Sequence, residues 1–136
     1  MADPKISLQH VYKSFNGKEV LRDLSIDVAT GESLVIVGGS GTGKSVTLKH
    51  IIGLMQPDKG HVVVDNSDLC CMHPVELNNF RRRFGMAFQE GALFDSMSVF
   101  ENIAFPLRRH TKMSEDEIRQ RVEECLNDVH LHGVEK

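Results

Sequence analysis

The stretch "GGSGTGKS", Gly38 to Ser45, follows the apolar run "LVIV" without a break. Gly38, Gly43, Lys44 and Ser45 fit the spacing G-x-x-x-x-G-K-[ST], with a run that reads as a buried strand before it and helical periodicity after it. A chain carrying this signature is constrained to leave a strand, turn tightly and enter a helix. Glycines let the backbone curl so that several N–H groups point at one centre. The helix start adds its positive dipole end, so an anionic phosphate can be held without a deep pocket. In this pattern Lys44 supplies a point charge for the β- and γ-phosphates of a nucleoside triphosphate, and Ser45 offers a hydroxyl to a magnesium ion. Gly38, Gly39, Ser40, Gly41, Thr42, Gly43, Lys44, Ser45 and Val46 form the expected phosphate-binding set. The bland alternative, a glycine-rich turn that binds nothing, leaves the lysine and the full spacing unexplained. The loop alone does not separate kinase, GTPase, motor and transporter.

The rest of the chain reads as an α/β protein. "ISLQHVY" (Ile6 to Tyr12) alternates as a strand and ends in the polar break "KSFNGK", where Asn16-Gly17 is a hairpin-turn dipeptide. "EVLRDLSIDVATGE" follows, with Leu24, Ile26 and Val28 on one face and a turn at Thr30-Gly31. "SLVIV" (Ser33 to Val37) is continuously apolar, as in a strand of a parallel sheet covered on both faces. After the loop, Val46, Leu48, Ile51, Ile52 and Met55 recur at near-helical spacing, and Gly53 and Pro57 mark the helix end. "HVVVD" (His61 to Asp65) is a further strand. Pro74 suits the first turn of a helix running to about Arg83, and "GMAFQ" (Gly85 to Gln89) reads as a short strand. "SVFE" (Ser98 to Glu101) and "SEDE" (Ser114 to Glu117) fit the capping-box pattern and start two helices. The second carries Ile118, Val122, Cys125, Leu126 and Val129 on one stripe.

Composition sets limits on function. The chain has 136 residues, 40% hydrophobic and 26% charged, which suits a single globular core. Its net charge of −3 gives no basic surplus, so nucleic acid is not an expected partner. Met1 to Ser7 is polar with no apolar stretch behind it, and no run approaches the ~18 residues of a membrane span. Three cysteines, Cys70, Cys71 and Cys125, without a leader point to reduced thiols in a cytosol. "CCMH" (Cys70 to His73) and "HLH" (His130 to His132) fit no closed zinc site. Buried thiols and surface histidines are expected instead. Arg81 to Arg83 cap the end of a helix, where cations favour the dipole.

The order of an aromatic turn, an antiparallel strand pair, the phosphate loop, "GLMQPDKGHVVVD" and "FQEGALF" resembles the first half of the ATP-binding subunit of ABC transporters, from about Ile6 to Lys136. The resemblance implies a P-loop NTPase fold: a RecA-like core with an N-terminal antiparallel β subdomain, cut short at the C-terminus. It implies ATP and Mg2+ as ligands. It places Phe15 where the family keeps its adenine-stacking aromatic. It places Gln89 at the glutamine that reaches the magnesium ion and the attacking water, as catalytic and metal-contacting residue beside the metal ligand Ser45. "FQEGALFDSMSVFENIAFPLRRHT" is similar to the ATPases of Mla-type systems, which work with an integral permease and an MCE-domain carrier to move phospholipids between bacterial membranes. The implied partners are a permease docking near Ala92–Phe100, a second ATPase subunit and, indirectly, the carrier. The implied location is peripheral, on the cytoplasmic face of the bacterial inner membrane.

Alternatives stay open beside the resemblance. Phe15 can be a hairpin aromatic covering the sheet, and Gln89 a surface residue ending a strand. The large apolar residues of Ala92 to Phe100 suit core packing as well as docking. Val46 stands where the family usually has a second hydroxyl. The signature "LSGG", the Walker B carboxylates and the switch histidine do not occur in these residues. The sequence therefore leaves two functions in play, a transport ATPase and a nucleotide binder without turnover. An unrelated P-loop kinase is the third class, to which the aromatic turn and the glutamine segment are foreign.

Overall fold

The computed structural model describes residues 3–89 and 91–134; Met1, Ala2, Glu90, Glu135 and Lys136 lie outside that description. The chain divides into two compact units, Met1–Gly85 and Met86–Lys136.

The first unit is built on two long strands, β1 (Ile6–Phe15) and β2 (Lys18–Val28), with α1 (Lys44–Ile51), β3 (Lys59–Val64), β4 (Ser67–Asp68) and α2 (Pro74–Arg81) following. The strands form one antiparallel sheet in the order β2-β1-β3-β4. Asn16 and Gly17 close the β1–β2 hairpin with φ of 49° and 79°, the left-handed pair that a two-residue turn requires. Strand register sends Leu8, Val11, Leu21, Val62 and Val64 to one face. There they meet Ile51 from α1, Leu69, and Leu77 and Phe80 from α2 in one core. Gly60 (φ 91°) in β3 lies hard against β1, where an added Cβ would collide with the carbonyl oxygens of Gln9 and His10. His10 itself turns left-handed at a bulge.

The second unit is a helical hairpin, α3 (Val99–His110) and α4 (Glu115–Asp128). Ser98 and Ser114 each accept the backbone N–H three residues on, and Glu101 and Glu117 return the bond, so both expected capping boxes form. Ala104 packs against Ile118, Val122 and Leu126. Arg108 pairs in two parallel bonds with Glu115 across the connection, at 2.8 and 2.7 Å. Val129, expected on the α4 stripe, falls past the helix end and is exposed.

Four sequence expectations are corrected. Ser33–Val37 has no regular secondary structure, and Leu34, Val35 and Val37 are 45%, 78% and 85% exposed. Gly85–Gln89 likewise forms no strand, with Phe88 exposed. The cause is the same in both: a strand covered on both faces needs hydrogen-bonded neighbours, and no described residue pairs with either run. In α1 the buried face is Thr47, His50 and Ile51, while Leu48 is exposed. The helix packs on the antiparallel sheet through β2 and β3. Leu48 instead lines an open groove of about 570 Å³ with Leu34, Val35 and Ile36. Of the thiols expected to be buried, Cys70 and Cys125 are half-buried and Cys71 is exposed, because Cys71 lies beyond the short strand β4 in a turn. No helix among the described residues is long and apolar enough to cross a membrane.

Candidate functional site

The glycine loop runs from Gly38 into α1, whose N-cap is Gly43 at φ 91°. A side chain at Gly43 would clash with the sheet: its Cβ would lie 2.8 Å from Leu21 Cδ2 and 3.1 Å from the Val20 carbonyl oxygen. That close approach seats the loop directly on β2. Gly41 is also left-handed, at φ 76°. Thr42 Oγ1 donates to the Gly39 carbonyl at 2.9 Å. The Lys44 ammonium reaches back across the loop and donates to the carbonyls of Gly38 (2.8 Å) and Gly39 (2.6 Å).

The first turn of α1 carries no acidic residue, so nothing offsets its positive end. The helical bonding starts with the Thr47 N–H on the Gly43 carbonyl at 2.8 Å, which the Thr47 hydroxyl also reaches at 3.1 Å. The N–H groups of Lys44, Ser45 and Val46 precede that bond and lie in the first turn, where helix N–H groups have no intrahelical acceptor.

An open cleft of about 270 Å³ is lined by Phe15, Val20, Gly41, Thr42, Gly43, Lys44, Ser45 and Val46. Phe15, at the end of β1, and the loop, more than 20 residues later in the chain, thus face the same space. Phe15 is 39% exposed, so part of its ring is open to solvent. A flat apolar ring beside a ring of N–H donors and a lysine is an arrangement that can hold an aromatic base and a polyphosphate together. Gly38, Gly39 and Ser40 do not line this cleft; the first two hold its lysine instead. Val20 is the lining residue that the sequence alone did not single out. Its signal is weak, a single apolar side chain just past the hairpin turn.

Ser45 is exposed at the helix start beside Lys44, where its hydroxyl suits one position on a magnesium ion whose remaining ligands would be phosphate and water oxygens. Among the described residues no cluster of three His, Cys, Asp or Glu side chains forms a metal cage. Gln89 lies in the second unit, exposed and in a turn.

Within the Ala92–Phe100 segment, the Asn102 side chain binds the backbone from Phe94 to Ser98. Asn102 accepts the Phe94 N–H at 2.8 Å and donates to the carbonyls of Phe94, Met97 and Ser98 at 3.2, 3.1 and 3.0 Å. Phe94 stays half exposed with its ring edge-on to Phe105, centroids 5.3 Å apart. Leu93, Phe94, Met97 and Val99 line a groove of about 420 Å³ with Leu126 and Leu131. Phe100 is turned inward, packing on the α3–α4 core under the Arg108 guanidinium.

Residues 21–136 match the family described as ABC transporter. The chain is 46% identical over 131 residues to the probable ribonucleotide transport ATP-binding protein mkl of Mycobacterium leprae, covering 96% of this chain and 38% of that protein. It is 43% identical over 119 residues to the intermembrane phospholipid transport system ATP-binding protein MlaF of Haemophilus influenzae, covering 87% of this chain and 45% of that protein. It therefore spans less than half the length of these curated relatives. The fold superposes on the dimeric post-hydrolysis structure of the ATP-binding cassette MJ0796 bound to ADP and Pi with a TM-score of 0.84 at 31% identity, covering 94% of this chain and 58% of that one. The phosphate loop, the antiparallel sheet it is seated on and the helical hairpin after it thus have a common origin: the chain belongs to the ABC transporter family.

Proposed function

We propose that this protein binds MgATP in the Phe15–Val46 cleft and serves as the ATP-hydrolysing subunit of a transporter that moves phospholipid between membranes. The observation that carries the nucleotide reading is the cleft itself, which puts Phe15 and the Gly41–Val46 loop on one space. Phe15 stacks on the adenine. The loop N–H groups and Lys44 would hold the phosphates, and Ser45 would hold magnesium, which would supply charge neutralisation there. Gln89 would orient the attacking water. The exposed apolar segment around Phe94 receives a permease, a second ATPase subunit faces the phosphate loop, and an MCE-domain carrier acts beyond the permease. The protein then sits at the cytoplasmic face of the inner membrane.

Phospholipid as cargo is supported by the likeness to MlaF; the likeness to mkl, described as a ribonucleotide transporter, favours a different cargo at similar identity. Calorimetric titration of the purified protein with MgATP tests the nucleotide reading: micromolar binding in the parent and a loss of at least about tenfold in Lys44→Ala are expected. Equal affinity in the variant overturns the loop assignment. Transfer of labelled phospholipid versus ribonucleotide in membranes carrying the assembled transporter decides the cargo.

A further inference from the structure

Phe15 ends β1 at a point where the sheet is narrow. The β1–β3 ladder stops at Tyr12↔Lys59, and beyond it only β2 pairs with β1, through an irregular register at Lys13 and Ser14. A two-stranded ribbon end is marginally stable and twists freely. Something must hold this tip if the ring is to sit in one place.

Asp58 does so from the far side of the sheet. Its backbone N–H donates to the Tyr12 carbonyl at 2.9 Å. Its carboxylate then continues the ladder with a side chain: Oδ2 accepts the Ser14 N–H at 2.7 Å and Oδ1 accepts from Lys13 Nζ at 2.7 Å. The same ammonium donates to the Gln56 carbonyl at 2.9 Å, so Lys13 is bound on two sides and only 17% exposed. Lys13 Nζ also lies 5.7 Å from the centre of the Phe15 ring. Lys13 is not among the residues lining the cleft, so the cation meets the ring from outside it. Cation–π attraction helps hold the ring in one place.

We propose that Asp58 and Lys13 are positioning residues for Phe15, fixing the base-stacking ring at the mouth of the nucleotide cleft. The proposal rests on the reading of Phe15 as the base platform. As a plain ion pair at the surface the couple contributes little to stability. Its placement one and two residues from Phe15, with both carboxylate oxygens committed to that segment, gives it this role. The Lys13 hydrogen bond first, and the Ser14 N–H second, hold the Asp58 carboxyl below its ordinary range, so the clamp is charged at neutral pH.

The test is calorimetry on the purified protein with two probes, MgATP and magnesium tripolyphosphate, which carries the phosphates without the base. Phe15→Ala and Asp58→Ala are each expected to weaken ATP by about fivefold to tenfold and to leave tripolyphosphate unchanged. The double variant is expected to be no weaker than either single one. Lys13→Met, which leaves the carboxylate in place, is expected to weaken ATP by roughly twofold to threefold. If Phe15→Ala weakens ATP while Asp58→Ala and Lys13→Met bind it like the parent, the clamp is overturned and the base reading stands. If Phe15→Ala binds ATP like the parent, the base reading fails and takes the clamp with it. Loss of tripolyphosphate binding in Lys13→Met or in folded Asp58→Ala also overturns the proposal, since it moves the role to the phosphates or to the fold at large. Should Asp58→Ala not fold, the ATP-to-tripolyphosphate split in Lys13→Met decides.

Discussion

Lys44 Nζ donates to the carbonyl of Gly38, six residues upstream, at 2.8 Å, and so ties the two limbs of the phosphate loop together. The lysine therefore shapes the loop as well as carrying its charge. Lys44→Ala removes a charge-assisted contact worth ~1.5–3 kcal/mol to a bound phosphate, together with this internal tie. The expected result is a loss of MgATP affinity of at least about tenfold with little change in melting temperature, because the bonds of the ammonium among the described residues go to loop carbonyls. Titration calorimetry and a thermal melt of the same samples check both halves.

His50 is expected to be a stability defect. It is fully buried in α1; Nδ1 reaches the Val46 carbonyl at 2.7 Å, and Nε2 has no partner among the described residues. An unsatisfied buried polar atom costs about 1–3 kcal/mol, more than the local bond to Val46 returns. His50→Leu fills similar space with apolar atoms beside Ile51, and the melting temperature is expected to rise by a few degrees. An unchanged or lower midpoint counts against this account of the core.

The local features of the chain were legible in its sequence. Asn16-Gly17, the two serine–glutamate capping boxes, Pro74 at a helix start and the loop from Gly38 to Ser45 each depend on residues within a few positions of one another. What depends on distant partners was not. The apolar pattern of Ser33–Val37 states which faces a strand needs covered; it does not contain the neighbours, and here the run stays exposed. The inward face of α1 follows from which sheet the helix packs on, so Thr47 and His50 displaced Leu48. Within the cleft, the glycines and lysine carry a spacing signal, whereas Val20 carries none. Lys13 and Asp58 are 45 residues apart and look like any two surface charges until β3 brings them together.

Acid is expected to weaken the fold of the first unit through its aspartates. The Lys13 hydrogen bond lowers the pKa of Asp58, and the Lys5 hydrogen bond that of Asp65, below the ordinary 3.8. A carboxylate whose folded pKa lies below its unfolded value binds protons more readily when unfolded. Its contribution is therefore complete above pH ~4 and lost as pH falls through the folded pKa. Melting temperatures are expected to be flat from pH 7 to about 5 and to drop below about 4. In Asp58→Asn the drop is expected to be shallower and the neutral-pH midpoint lower. A variant with the parent's full acid slope removes Asp58 from this account.

Asn102 is expected to control the apolar segment without touching nucleotide. Its side chain makes four bonds to the backbone of Phe94, Met97 and Ser98, which keeps the Phe94 ring edge-on to Phe105 and half exposed. Asn102→Ala leaves the Phe94 N–H and the Met97 carbonyl to water, while the Phe94 and Ser98 carbonyls keep the backbone N–H groups of Met97 and residue 102, so the stability cost is modest, about 1 kcal/mol or less. The segment then loses its fixed shape, and binding by a preorganised surface weakens when its loop must be ordered on contact. If a permease docks on this segment, co-purification of the permease should fall in Asn102→Ala and in Phe94→Glu, with MgATP affinity unchanged in both. Phe94→Glu puts a charge on the exposed ring position, where a docked apolar partner would have to bury it unpaired. Normal co-purification in both variants removes the docking assignment and leaves Phe94 as a lid over the α3–α4 hairpin. A fall in Phe94→Glu alone keeps the surface and discards the ordering role of Asn102.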